Sequence, residues 1–180
     1  ISFIINAQMS DNSTGTSANG SRSVAMGSYT TASGDYSTAM GQDSTASGIT
    51  STAMGAGTNA TGQRSTSMGN YTTASGSMSV AMGYKALAAG DRSVAMGTDT
   101  RASDLNSLVI GQYNSSGYSV TSADSFSTSA PAFVIGNGTT SNARSDAFKV
   151  MFNGDTYVSS SLYLGGTAIT STAAELNILD

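Results

Sequence analysis

Ser23-Val-Ala-Met-Gly27, Ser37-Thr-Ala-Met-Gly41, Ser51-Thr-Ala-Met-Gly55, Ser65-Thr-Ser-Met-Gly69, Ser79-Val-Ala-Met-Gly83 and Ser93-Val-Ala-Met-Gly97 are one pentapeptide recurring every 14 residues without insertion. Ser107-Leu-Val-Ile-Gly111 keeps the step and replaces Met with Ile. Halfway between come Ala18-Asn-Gly20, Ala32-Ser-Gly34, Ala46-Ser-Gly48, Ala60-Thr-Gly62, Ala74-Ser-Gly76 and Ala88-Ala-Gly90, and Ala102-Ser-Asp104 ends that series. The unit is thus two half-repeats of seven.

A period of seven also suits a coiled coil. Two glycines per unit, each costing roughly 1 kcal/mol inside a helix, together with abundant Ser and Thr, exclude it. Two short strands and two glycine-bearing turns fit instead, giving a parallel β-roll that rises about 4.8 Å per turn. Strand alternation places Val24 and Met26 on one face and Ser23 and Ala25 on the other. Met26, Met40, Met54, Met68, Met82 and Met96 form one column, which either fills the roll or faces an axis. Ala32, Ala46, Ala60, Ala74, Ala88 and Ala102 form a second column, where only a methyl is tolerated. Arg22, Tyr36, Thr50, Arg64, Met78, Arg92 and Asn106 precede the pentapeptides and read as solvent-facing, because nothing restricts their size or charge.

Composition agrees with a regular fold of small side chains. Only 10% of the 180 residues are charged and 7% aromatic, the net charge is −4, and there is no Trp, Cys or His. That removes disulfides, thiolate chemistry, imidazole bases and the commonest transition-metal ligands. Scattered Lys and Arg make no basic patch for nucleic acid. No stretch reaches the roughly 20 apolar residues of a membrane span. The carboxylates sit mostly at turns and form no pair suited to glycosidic cleavage, so no catalytic residue and no enzyme activity is expected. Calcium-type Gly-Gly-x-Gly-x-Asp turns are absent, and no cofactor or metal is expected. A regular threonine array for ice fails, since the column of Thr31, Thr45 and Thr73 also holds Asn59, Leu87 and Arg101. Tyr29, Tyr71 and Tyr84, just past their glycines, suit either sugar stacking or packing between chains.

A 14-residue turn encloses few side chains and buries too little to offset backbone ordering at about 1–2 kcal/mol per residue, so association is expected. The period breaks after Gly111 and returns at Phe133-Val-Ile-Gly136, a turn carrying an insertion over Gln112 to Pro131. Loops projecting from a rigid scaffold carry binding more often than the scaffold does. Gln112, Tyr113, Asn114, Tyr118 and Phe126 are therefore the candidate ligand-binding residues, unless the insertion is a collar between roll and stem. Asn153-Gly154 between apolar runs signals a hairpin. Thr172-Ala-Ala-Glu175 reads as a capping box opening a helix that carries Leu176 and Leu179, with the native chain expected to continue beyond Asp180.

Over about Ala18 to Gly111 the pentapeptide and its spacing resemble the head repeat of trimeric autotransporter adhesins. The resemblance implies three left-handed parallel β-rolls around a threefold axis, with Met here where Ile is usual. Residues 147–180 are similar to the connector of phage and other viral tail fibres, which also implies a trimer. The expected fold is all-β: a homotrimeric parallel β-roll head, a β-rich connector and the start of a helical or coiled-coil stem. Its parts are an N-terminal connector (1–17), the roll (18–111), the insertion (112–131), a final turn or neck (132–146), the hairpin connector (147–170) and the stem (171–180). The expected function is structural and receptor-binding, in a viral tail fibre that attaches to a host surface glycan or protein alongside other virion proteins. A bacterial surface adhesin head and a passive spacer are the alternatives, with the virion or the bacterial surface as the location.

Overall fold

A computed structural model describes Ala7, Gln8, residues 15 to 172 and Glu175. The regular elements within the roll and connector are all strands. Each 14-residue turn contributes one five-residue strand, as in Val24–Ser28, Thr38–Gln42 and Thr52–Ala56, and one two-residue strand, as in Thr31–Ala32, Thr45–Ala46 and Asn59–Ala60. Like residues pair in parallel with no slip: Met26 with Met40, Met40 with Met54, Met82 with Met96, and Ala74 with Ala88. The result is two parallel sheets, one of long and one of short strands.

The alternation in the pentapeptide decides what lies inside. Ser23 and Ala25 point into the roll and are buried, as are their repeats and the Thr30 and Ala32 positions of the short-strand side. Most turns thus fill their interior with two alanines and two hydroxyls, and the narrow cross-section admits nothing bulkier than the Val109, Val134 and Asn114 that take these positions at its last turns. Some interior hydroxyls are satisfied locally: Ser23 and Ser107 donate to the carbonyls of Gly20 and Asp104 at 2.8 and 2.7 Å, and Ser67 pairs with Thr72 at 2.8 Å. Those of Thr30, Ser37, Ser51, Ser65, Ser79 and Thr100 are buried without a partner among the described residues. Val24 and Met26 and their repeats therefore lie on the outer face, half-buried, with Met96 39% and Leu108 37% exposed in the single chain.

The two glycines play different parts. Those of the Gly20 column lie at a turn, whereas those of the Gly27 column lie inside the long strand at positive φ, not at the turn expected for them. Both columns exclude a side chain, because a Cβ at Gly34 or Gly55 would overlap the carbonyl oxygen of the next turn's glycine. The corners themselves are made by left-handed residues that are mostly not glycine. One corner is the solvent-facing column Arg22, Tyr36, Thr50, Arg64, Met78, Arg92 and Asn106, all exposed at φ of 56 to 59°. The other is Tyr29, Asp43, Gly57, Tyr71, Lys85, Asp99 and Tyr113. There the Tyr29 and Tyr71 rings lie over Gly15 and Gly57, one turn earlier, where a Cβ would stand 2.5 and 2.7 Å from the ring edge. The aromatic covers backbone that glycine leaves bare.

After the insertion, strand Pro131–Asn137 rejoins the long-strand sheet, and Gly111 pairs in parallel with Gly136. Pro131 opens this strand rather than ending the insertion, and as its first residue it precedes the parallel pairing that begins at Phe133, so the missing N–H is tolerated. The chain then reverses: Asp146–Met151 runs antiparallel to it, and Thr156–Val158 adds a further strand across the Asn153-Gly154 turn. A second hairpin pairs Tyr163–Leu164 with Thr167–Ala168 through Gly165-Gly166, both at positive φ as a two-residue turn needs. At Thr172 the capping-box bonds are present: Thr172 N–H and hydroxyl donate to the Glu175 carboxylate at 2.7 and 2.9 Å, and Glu175 N–H returns to the Thr172 hydroxyl at 3.2 Å. The expected stem helix through Leu176 and Leu179 lies outside the described residues, as does most of the N-terminal connector.

Candidate functional site

The short-strand sheet loses its ladder partner at Arg101–Ala102, the last strand of its series. In each earlier turn the first N–H of the short strand bonds a backbone carbonyl 13 residues on, as in Thr73 to Ala86 and Leu87 to Thr100, both at 2.8 Å. The next partner in that series is Asn114. Here the side chain acts in place of the backbone: Arg101 N–H donates to Asn114 Oδ1 at 2.8 Å, and Asn114 Nδ2 donates to the carbonyls of Arg101 and Ser116 at 2.9 and 2.6 Å. Asn114 is fully buried. One planar amide thus ends a ladder whose edge would otherwise present unpaired groups.

Asp104 does the same at the neighbouring corner. It occupies the glycine column, and no further glycine turn stacks above it, so a side chain is tolerated. Its Oδ1 accepts the N–H groups of Thr121 and Ser122, both at 2.6 Å. Backbone bonds from Leu105 N–H to Ser122 and from Asp91 N–H to Ala123, at 2.8 Å each, draw the insertion across the roll end. A solenoid needs such a cap, because its last repeat has no neighbour to cover it.

The insertion is also tied to the connector. Asp146 accepts from Ser115 N–H, Ser115 hydroxyl and Ser116 N–H at 2.8, 3.0 and 2.9 Å. Arg144 pairs with Asp99 at 2.7 Å. Its guanidinium and that of Arg101 lie 4.5 and 4.2 Å from the Tyr118 ring, which is held between two cations. Gln112 Nε2 donates to the Gly138 carbonyl at 2.8 Å. Phe126 packs edge-on against Phe152 with centroids 5.2 Å apart, and Phe152 N–H bonds the Ala130 carbonyl at 3.1 Å.

Of the five candidate binding residues, Asn114 is spent on the ladder and Gln112 reaches across to the neck. Tyr113 is half-buried, its carbonyl accepting from Ser145 N–H at 3.1 Å. Tyr118 and Phe126 stay at the surface, 43% and 62% exposed. The five do not converge on one cleft; they belong to one collar. Sequence reading missed Asp99, Arg144 and Asp146, whose partners are 30 to 45 residues away. Asn114 left a trace, since it continues the buried column of Thr30, Ser44, Thr58, Thr72, Ala86 and Thr100.

Beside the collar a polar pocket of about 320 Å³ is lined by Ser115, Arg144, Ser145, Asp146, Lys149, Tyr157 and Ser159. Among the described residues no three carboxylates gather as a metal site would require, and no helix is long and apolar enough to cross a membrane.

No curated protein matches the chain. A family model described as the YadA head domain repeat matches residues 14–30, 18–44, 32–58, 46–72, 74–100 and 88–114, covering the roll from end to end. Those matches span more than half of the sequence and coincide with the stacked 14-residue turns, so the chain belongs to the YadA head domain repeat family.

Proposed function

We propose that this chain is the head and neck of a homotrimeric adhesive fibre, with a role in attachment and not in catalysis. The observation that carries this is the outer apolar stripe. Val24 and Met26, then Thr38 and Met40, continue turn by turn to Val94 and Met96, Leu108 and Ile110, and Phe133 and Ile135, all only partly covered by their own chain. Phe148 and Val150, paired with Ile135 and Phe133, prolong it into the connector. An uncovered apolar face running the length of a rod marks an association surface. Two further copies of the chain are its occupants, because the stripe repeats with the roll's own pitch and because heads of this family are in general trimeric.

The same reading places attachment at the collar, where Tyr118 and Phe126 face solvent on a base fixed by Gln112, Tyr113 and Asn114. The rod spaces this collar from whatever anchors it. The fibre is a viral tail fibre that meets a host-surface glycan or protein, a setting supported by the paired hairpins of the connector. Membership of the adhesin head family supports the bacterial surface as the second setting. Sedimentation equilibrium tests assembly: a trimer is expected, and an 18.0 kDa monomer at micromolar concentration would overturn it. Binding of the labelled trimer to host cells tests attachment. Antibody labelling of virions or of intact bacteria separates the two settings.

A further inference from the structure

From the pocket beside the collar we infer a binding site for an uncharged hexose unit of a surface glycan, an inference that rests on the adhesive reading above. The pocket lies on the side of the sheet away from the apolar stripe. Lys149 pairs with Val134, which is buried in register with Val109 of the roll interior, whereas Phe148 pairs with Ile135 of the stripe. Residues directly opposite in an antiparallel pair share a face. Tyr157 pairs in turn with Lys149 and so stands on the same face. Trimerisation through the stripe therefore leaves the pocket open.

Its chemistry is mixed and balanced. The Lys149 ammonium lies 4.5 Å from the Tyr157 ring centre and has no carboxylate partner, and the Tyr157 hydroxyl has no hydrogen-bond partner, among the described residues. Asp146 is held rigid by three donors from Ser115 and Ser116 and retains acceptor capacity. The Ser159 hydroxyl shares its single proton between the carbonyls of Asp146 and Ala147, so its oxygen remains able to accept from a ligand's hydroxyl. Asp99 engages Arg144 at 2.7 Å and is shared with Arg101 at 3.9 Å, while Asp146 offsets Lys149 within the lining. With Arg144 engaged by Asp99 and Arg101 outside the lining, an anion would meet one unpaired cation among the described residues, Lys149, beside the Asp146 carboxylate. A ring bearing several hydroxyls finds a donor, an acceptor and an aromatic edge within one cavity of about 320 Å³, enough for one sugar.

The test titrates the intact trimer with methyl glycosides of glucose, galactose, mannose and N-acetylglucosamine, and with glucuronic and N-acetylneuraminic acids, following the Lys149 and Tyr157 signals by NMR. One neutral glycoside is expected to shift both. Lys149→Met and Tyr157→Ala should each weaken it about tenfold, the loss of one charge-assisted contact or one aromatic-edge contact, while Tyr71→Ala on the roll leaves it unchanged. Failure of every neutral glycoside, tighter binding of the acids, or insensitivity to both pocket variants overturns the assignment. If the Lys149→Met trimer adheres to cells as the parent does, the pocket inference fails alone; if the parent trimer does not adhere, the adhesive reading fails.

Discussion

Gly55→Ala should unseat the middle of the roll. Gly55 lies within strand Thr52–Ala56 at φ +137°, and its ladder partner is Gly69. A Cβ there would overlap the Gly69 carbonyl oxygen and stand 2.9 and 3.0 Å from its carbon and nitrogen. Restoring ordinary contact needs a separation of more than about 1 Å between turns, which carries the flanking N–H···O bonds beyond about 3.2 Å. Two such bonds at about 1 kcal/mol each, with about 1 kcal/mol for the groups left unpaired and about 1–2 kcal/mol for alanine in the left-handed region, total about 4–5 kcal/mol. For a chain of this length that lowers the Tm by about 8–20 °C. Gly154→Ala is the control: φ is +94° and nothing lies within 4 Å of its Cβ, so only the conformational cost of about 1–2 kcal/mol remains. Thermal unfolding followed by far-UV circular dichroism decides, at one protein concentration because association makes the Tm concentration-dependent. Equal losses in the two variants would refute the argument that close approach between turns, and not backbone conformation, requires the Gly27 column.

Met54→Glu sets a carboxylate in the outer stripe of every chain; sedimentation velocity should show the trimer lost, against about 1.5–3 kcal/mol gained per buried Met side chain, and a persisting trimer would exclude this stripe as the interface. Asn114→Leu strands the Arg101 N–H and carbonyl at the roll end at a cost of about 2–4 kcal/mol. Hydrogen exchange at the Arg101 amide should quicken while the Val80–Tyr84 amides hold; unchanged exchange would mean the side chain does not close the ladder. The hydrogen bonds from Thr172 N–H and hydroxyl lower the pKa of Glu175. The carboxylate's capping contribution is therefore present above the ordinary glutamate value of about 4.3 and is lost as pH falls through a lower midpoint. The Thr172 amide signal in NMR should titrate with that lower midpoint, and an ordinary midpoint would dissolve the capping box.

The 14-residue spacing alone determined the parallel roll, its register and the exposed corner column. A fixed step with no insertion allows a single pairing of like residues, and glycine and alanine recurring on that step mark where backbones approach. The hairpin at Asn153-Gly154 and the bonds between Thr172 and Glu175 were legible for a similar reason, since both depend on neighbours within a few residues. The collar was legible as an interruption of the period, but its function as a cap was not. Asn114 replaces a backbone partner with its side chain, and Asp146 and Arg144 find theirs 30 residues or more away, distances that no local pattern encodes.

Alternation separated Val24 and Met26 from Ser23 and Ala25 without saying which pair faces inward. Only the tertiary structure decided it. A turn of one five-residue and one two-residue strand leaves an interior wide enough for methyls and hydroxyls and too narrow for methionine. The small residues therefore fill the roll, and the large ones line its outer face.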